Sequence, residues 1–342
     1  MARVRVVGAG IIGLAVAEEL QRRGHRLEVV DPAPGSGASY AAAGMLCPGG
    51  EVWHGEGPLH TLTRVSARLW PEYAGRLGVP LRTGTLLVAA DAGDLAQVER
   101  QAALASRHAD RARPLGRREL LAREPGLGRV AGGALLPDDH SVDPRAVLAA
   151  LLDRVPVRDA PVDDPAAAPE VTVLATGASL PPPYRRLVRG VRGEILRLRV
   201  GQEDLPAHTI RAWIHGEQVY VVPRADGEVV VGATQEEHDQ PPVVTAGGVW
   251  RLLDTARRVL PALDRAELLE TTARDRPATV DNLPLVGPTG EPGVLLAAGH
   301  FRHGVLLAPL TARLIADHLE TGHVEPAVDP RRSAPLLEGD TA

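Results

Sequence analysis

The glycine-rich turn near the N-terminus constrains this chain more than any other feature. Val4, Val6 and Val7 form a short β-branched run, Gly8-Ala9-Gly10-Ile11-Ile12-Gly13 follows, and Leu14, Ala17 and Leu20 then recur at helical spacing to Arg23. Gly24 stands where a helix C-terminus favours a left-handed residue. Leu27-Glu28-Val29-Val30 reads as a second buried strand, ending at Asp31-Pro32. Strand, tight turn, helix and strand in that order form a dinucleotide-binding fingerprint. Gly8 allows the turn, Gly10 lets a pyrophosphate approach the backbone, and Gly13 lets helix and strand pack closely. The helix N-terminus adds N–H groups and partial positive charge for phosphates. Asp31, 18 residues after Gly13, can accept hydrogen bonds from a ribose diol. The fingerprint leaves NAD and FAD both open, and Asp31 disfavours only a 2′-phosphate.

Other elements follow in recognisable order. Residues 33–56 are rich in Gly, Ala and Pro, a long loop of the kind that usually carries function. Leu59, Leu62, Val65, Leu69 and Tyr73 mark an amphipathic helix, Leu86-Leu87-Val88 a strand, and Asp94 to His108 a surface helix. Asp138-Asp139-His140 reads as a loop leading to a helix that begins at Pro144. Val171 to Ala175 is another buried strand. Gln218 to Pro223 and Glu228 to Ala233 flank Ala225-Asp226-Gly227 as an antiparallel hairpin. A helix from about Ala246 to Leu260, a strand ending at Gly299 and a helix from Val305 to Leu319 complete the pattern. The tail after Pro326 is Pro- and Arg-rich and is expected to fray. Parallel-type strands at both ends and in the middle, with antiparallel signals between, predict two domains built from non-contiguous segments.

Composition removes several classes of function. The formal net charge of −5 argues against a nucleic-acid partner. All 38 basic residues are arginine, which excludes lysine chemistry such as a Schiff base. Cys47 is the single cysteine, so no internal disulfide or multi-cysteine metal site can form, and a reducing, cytoplasmic setting fits. No stretch approaches the ~20 apolar residues that span a membrane. His54 with His60, and His300 with His303, do not make a convincing metal site, so no metal is expected.

Four further segments decide between the cofactors. Tyr40-Ala41-Ala42-Ala43-Gly44-Met45-Leu46, Tyr220-Val221-Val222-Pro223-Arg224, Val231-Gly232-Ala233-Thr234 and Gly299-His300-Phe301-Arg302-His303-Gly304-Val305-Leu306-Leu307-Ala308-Pro309 closely resemble the glycine oxidase branch of the FAD-dependent D-amino acid oxidase superfamily. That branch serves thiamine thiazole synthesis in bacteria. The resemblance covers essentially the whole chain apart from the tail. It implies an α/β fold in which a Rossmann-type FAD-binding domain interleaves with an α+β substrate domain built on an antiparallel sheet. The FAD-binding domain would comprise residues 1–75, 139–185 and 286–325, the substrate domain 76–138 and 186–285, and the frayed tail 326–342.

The resemblance also implies the site. Besides Gly8, Gly10 and Gly13, FAD would contact Ile11, Ile12, Asp31, Pro32, Ala38, Ser39, Ala43, Gly44, Met45 and Val162. His300, Phe301, Arg302, His303, Gly304, Val305 and Leu306 would present backbone donors to the flavin from a turn before a helix. Arg276 would bridge the substrate carboxylate through its planar fork, Tyr220 would hydrogen-bond the same carboxylate, and Arg302 would stand beside substrate and flavin. FAD is expected to be noncovalent, because the relatives with covalent flavin attach it through a cysteine much later in the chain than Cys47.

The expected reaction is oxidative deamination of glycine, with sarcosine or small D-amino acids as further substrates, O2 as acceptor and H2O2 as product. An amine oxidase or dehydrogenase of another pathway, and a non-catalytic FAD-binding scaffold, are the alternatives. Relatives form homo-oligomers. Three departures bear on the substrate: Gln235 replaces a methionine, Arg274-Asp275 replaces Gly-Leu before Arg276, and aromatic residues make up only 3% of the chain.

Overall fold

A computed structural model describes residues 1–108, 110–160, 169–238 and 240–336. The chain opens with β1 (Arg3–Val7), α1 (Ile11–Arg22) and β2 (Arg26–Val30). A short α2 (Ala38–Ala41), β3 (Met45–Leu46) and the long α3 (Gly57–Leu77) follow. Next come β4 (Leu81–Ala89), α4 (Ala92–Arg107), β5 (Arg113–Gly116), α5 (Arg117–Arg123) and β6 (Gly132–Val142). The middle of the chain holds α6 (Pro144–Leu152), β7 (Val157–Arg158), β8 (Val171–Leu174), β9 (Arg189–Arg199), β10 (Thr209–Ile214), β11 (Glu217–Pro223) and β12 (Glu228–Gly232). The last elements are α7 (Ala246–Val259), β13 (Glu267–Ala278), β14 (Leu285–Pro288), β15 (Val294–Ala298) and α8 (Gly304–Thr321).

The strands form two sheets. The first has the order β14-β15-β8-β1-β2-β7, parallel throughout except where β14 runs against β15. Its core is shared with α1, α3, α6 and α8, through Val4, Leu14, Trp70, Leu151 and Ile315. Residues from Leu14 to Leu20 of α1 are all buried, as a helix covered on both sides requires. The second sheet has the order β13-β9-β12-β11-β10-β4-β6-β3, with β5 paired to β6. It is antiparallel apart from the β4–β10 pair, and α7 covers a separate core containing Leu196, Val221, Val231 and Leu252.

Local chemistry accounts for the helix starts. Asp91, Asp143 and Thr245 each accept a backbone N–H with the side chain, at the N-termini of α4, α6 and α7 respectively. Pro144 occupies the first position of α6, where its missing N–H costs nothing.

Three regions depart from the pattern read in the sequence. The 33–56 stretch is not wholly irregular, since it carries α2 and β3, and β3 pairs with β6 in the second sheet. Asp138-Asp139-His140 is not a loop but lies within β6, so the expected boundary at 139 falls inside a strand. Of the expected tail, the described residues 326–336 do not hang free: Val328 is 1% exposed. Arg332 donates to the Leu283 carbonyl at 2.7 Å and pairs with Asp281 at 3.0 Å. Among the described residues no helix is long and apolar enough to cross a membrane.

Candidate active site

A cavity of about 690 Å³ runs from the β1–α1 turn to the inner face of the second sheet, within the ~300–1,000 Å³ usual for small-molecule sites. At one end Gly8 has φ +104°, and a Cβ there would collide with the Ala175 carbonyl. A Cβ on Gly13 would collide with the carbonyl of Gly8. Gly10 is different. An added Cβ meets only Ser39 Oγ, at 3.3 Å, so this glycine leaves open the space a phosphate would enter. Ser39 Oγ accepts the Ile11 N–H at the start of α1 (3.0 Å). Asp31 accepts the N–H groups of Ala9 (2.6 Å) and Ala33 (2.7 Å), tying the glycine turn to the end of β2. A carboxylate has further lone pairs for a diol.

The loop after Asp31 is held by three arginines from other elements. Arg274 donates to the Ser36 carbonyl (3.0 Å), Arg145 to that of Tyr40 (3.1 Å) and Arg224 to that of Ala43 (2.6 Å). Arg145 also lies 3.7 Å over the Tyr40 ring and pairs with Glu270 at 2.8 Å. Ala38, Ser39, Ala43, Gly44 and Met45 of this loop line the cavity.

At the far end Tyr220 of β11 stands between Arg211 of β10 and Gly232 of β12 in the ladder. Two strand glycines make the space there: a Cβ on Gly232 would strike the Tyr220 phenol, and one on Gly193 would strike the Arg276 guanidinium. Arg276 donates to the carbonyls of Arg192 (3.3 Å) and Thr234 (3.2 Å), and Arg302 donates to Gln235 Oε1. Among the described residues neither arginine pairs with a carboxylate. Burial raises the Tyr220 hydroxyl above its ordinary range, against the pull of Arg276, so it donates as a neutral phenol. Burial also lowers the Arg302 guanidinium.

Behind them lies a buried ion pair that gave no motif in the sequence. Arg211 Nη1 meets Glu51 Oε1 at 2.8 Å, and both residues line the cavity. Burial alone would raise the Glu51 carboxyl, but Arg211, His303 and Arg302 outweigh it and hold it below the carboxylate range. The signal for Arg211 was an arginine inside an apolar strand, Ile210-Arg211-Ala212-Trp213-Ile214. Glu51 lies in a Gly/Pro-rich loop and carried no pattern.

Most of the expected site residues meet at this one cavity: Gly8, Gly10, Ile11, Ile12, Asp31, Pro32, Tyr220, Arg276, His300, Phe301, Arg302, Gly304 and Val305 line it with the loop residues named above. Three do not. Gly13 serves the packing of turn and helix, and His303 is buried 3.6 Å from Glu51. Leu306 belongs to the core, and its carbonyl accepts from Ser66 Oγ (2.6 Å) and Trp70 Nε1 (2.8 Å). Val162 lies outside the described residues. His300 is neutral, since burial drops its pKa to about 3, and its Nε2 is 2.9 Å from Thr311 Oγ1. Two of the sequence departures acquire partners: Gln235 receives Arg302, and Asp275 pairs with Arg192 at 2.5 Å.

Comparison with known proteins gives concordant results. The family described as FAD dependent oxidoreductase matches residues 3–318. A putative thiamine biosynthesis oxidoreductase ThiO of Rhizobium etli is 36% identical, over 95% of this chain and 98% of its own length. A glycine oxidase of Geobacillus kaustophilus is 32% identical over 93% and 92%, and a glycine oxidase crystal structure from that organism has a TM-score of 0.83, 30% identity and 98% coverage of both chains. The bifunctional protein ThiO/ThiG of Trichormus variabilis is 33% identical, and this chain spans 53% of its length.

Proposed function

The chain belongs to the family of FAD dependent oxidoreductases, and from that premise we propose that it oxidises the C–N bond of a small amino acid, with glycine as leading substrate. The observation that carries this reading is the placement of Tyr220 and Arg276, without a carboxylate partner, at one end of a cavity whose other end is the glycine turn. The residues fit FAD, because Gly10 leaves an open cradle and the cavity continues along Ala43 and Gly44 to the substrate end. When bound, FAD supplies a two-electron acceptor for the hydride leaving the substrate carbon.

The chain's own groups bind, orient and polarise. Arg276 offers its fork to the substrate carboxylate, the neutral Tyr220 hydroxyl donates to the same group, and Arg302 adds positive charge beside it. A carboxylate fixed at two points presents its α-carbon in one orientation, which is the main catalytic contribution of such a site. The turn from His300 to Val305, which lines the cavity except at His303, would bring backbone N–H groups beside the bound flavin, where they would stabilise negative charge. Noncovalent binding is favoured because Cys47 is buried with its thiol 3.3 Å from Thr85 Oγ1 and does not line the cavity.

O2 as acceptor, H2O2 as product and supply of thiamine thiazole synthesis belong to this proposal, as does the two-part division of the chain, except where β6 runs across residue 139. The names of the R. etli and G. kaustophilus relatives support the pathway and the substrate. The test is an anaerobic titration with glycine, sarcosine and D-alanine, following flavin absorbance. Glycine should bleach the flavin and air should restore it with peroxide released. Bleaching by another amine alone would replace glycine, and Arg276→Ala with undiminished affinity would overturn the carboxylate site.

A further inference from the structure

Behind the main cavity lies a void of about 10 Å³, lined by Glu51, Glu56, His60, Thr63 and His303 among others. It is about the size of one water molecule. Glu51 lines both spaces. The histidines are 4% and 5% exposed, yet His60 Nδ1 and His303 Nδ1 have no hydrogen-bond partner. Buried nitrogens left bare cost free energy; Pro48, Val52 and Leu59 line the void as well, and a water held there by the polar side chains would offset that cost. On its other side His60 Nε2 lies 2.8 Å from Asp110 Oδ2, with the ring not yet turned to aim its N–H at the oxygen. Asp110 Oδ1 meets Arg64 Nε at 2.9 Å, and the two side chains are 13% and 28% exposed. A chain of titratable groups therefore runs from the substrate end of the cavity to the surface.

We propose that Glu51, a water in this void, His60 and Asp110 form a proton path that carries the substrate's ammonium proton out of the cavity. The inference rests on the amine-oxidation reading, since that reaction needs a free amine and an amino acid arrives at neutral pH as its ammonium form. One ammonium N–H bond breaks and an O–H bond forms on Glu51. The proton then passes to the water, the water gives one to His60 Nδ1, and the Nε2 proton leaves toward Asp110 and solvent. Net transfer is one proton from substrate to bulk, with no electrons moved. Arg211 keeps Glu51 ionised and ready to accept. The other charged or titratable groups facing the path are Tyr220, Arg302 and Cys47 near Glu51, Asp139 near Cys47 and Asp110, and His108 and Glu56 near the histidines. His60 and Asp110 act through Glu51 and are positioning residues.

The experiment measures anaerobic flavin reduction by the preferred amine in the holoenzyme, the H60N variant and the D110N variant, at about pH 7 and about pH 10. At the higher pH the amine arrives largely unprotonated and needs no path. Both variants should lose about tenfold or more at pH 7, with substrate affinity unchanged, and recover the wild-type rate at pH 10. A loss equal at both pH values, or no loss in D110N and H60N, overturns the path while leaving the substrate reading intact. No reduction of the wild type by any amine removes the substrate reading itself, and the path with it. A high-resolution crystal structure gives a readout apart from activity: an ordered water between Glu51 and His60 is expected, and a dry void overturns the proposal.

Discussion

Gly193 sits inside β9 and Gly232 ends β12, in strands that glycine usually weakens, and neither has a positive φ. No left-handed conformation therefore bars a side chain at either position, and the effect of an alanine there reads the side chains they face. Gly232→Ala should push aside the Tyr220 phenol and Gly193→Ala the Arg276 guanidinium. Each should weaken binding of a carboxylate inhibitor about tenfold while the flavin dissociation constant holds. An unchanged inhibitor constant in both would mean that neither side chain touches the carboxylate. Arg276→Lys keeps the charge but loses the fork, and a charge-assisted bidentate contact is worth ~1.5–3 kcal/mol, or about 10–100-fold in substrate affinity. Tyr220, Arg276 and Arg302 were legible in the sequence only through resemblance, since a lone strand tyrosine or arginine has no signature of its own. The strand glycines that face Tyr220 and Arg276 were the physical signal available, since glycine in a strand marks close approach. Glu51 could not be found this way: what makes it a site residue is Arg211, 160 residues away.

At the scale of elements, the segment from Ser36 to Ala43 holds only the single-turn α2, and Arg274, Arg145 and Arg224 tie its carbonyls to the rest of the fold. Glu270 fixes Arg145 in turn. Burial alone would raise the Glu270 carboxyl, but hydrogen bonds from Arg145 and Thr272 bring it down to about 2 from its ordinary 4.5. A carboxyl depressed on folding contributes stability that is complete above its unfolded value and is lost as pH falls through the folded value. The window here runs from about 4.5 down to about 2, and the contribution is a few kcal/mol at most. Glu270→Gln should therefore destabilise the protein at neutral pH and flatten the acid limb in that window, measured by urea unfolding at stepped pH. Since the tether ends on the Tyr40 carbonyl, the same variant should release FAD more readily. A parallel acid limb in variant and parent would show that other carboxylates carry it. The sequence revealed this loop as functional from its length and composition, but not its restraints, because the three arginines come from α6, the end of β11 and β13. By contrast β1, α1 and β2 were fully legible, being consecutive and set by local periodicity, as was the β11–β12 hairpin.

Across the whole molecule, the chain passes between the two sheets several times, and each passage fixes one sheet relative to the other. The passage from β13 to β14 matters most for the site, because Arg276 lies two residues before the end of β13. Beyond it, Thr279 Oγ1 donates to the Leu283 carbonyl (2.8 Å), and Asp281 accepts the Leu283 N–H (3.1 Å). The C-terminal segment closes over this turn: Arg332 bonds Asp281 and the Leu283 carbonyl, and Val328 is buried in the core of the first sheet. Composition alone pointed to fraying, because Pro and Arg mark tails that lack a periodic apolar face. Here one valine and one arginine suffice, and single residues of that kind escape a periodicity argument. Burying the valine side chain is worth ~1.5–3 kcal/mol, and the two arginine contacts add about 1 kcal/mol or more. Ending the chain after Glu325 should then lower the melting temperature of the holoprotein by a few degrees. It should also raise KM for the amino acid through looser placement of Arg276, with flavin affinity changed less. Val328→Ala separates the causes: loss of core packing lowers the melting temperature alone, whereas Arg332→Ala, which frees the turn, should move KM. Equal effects of the two on KM would show that the tail stabilises the molecule without positioning the arginine.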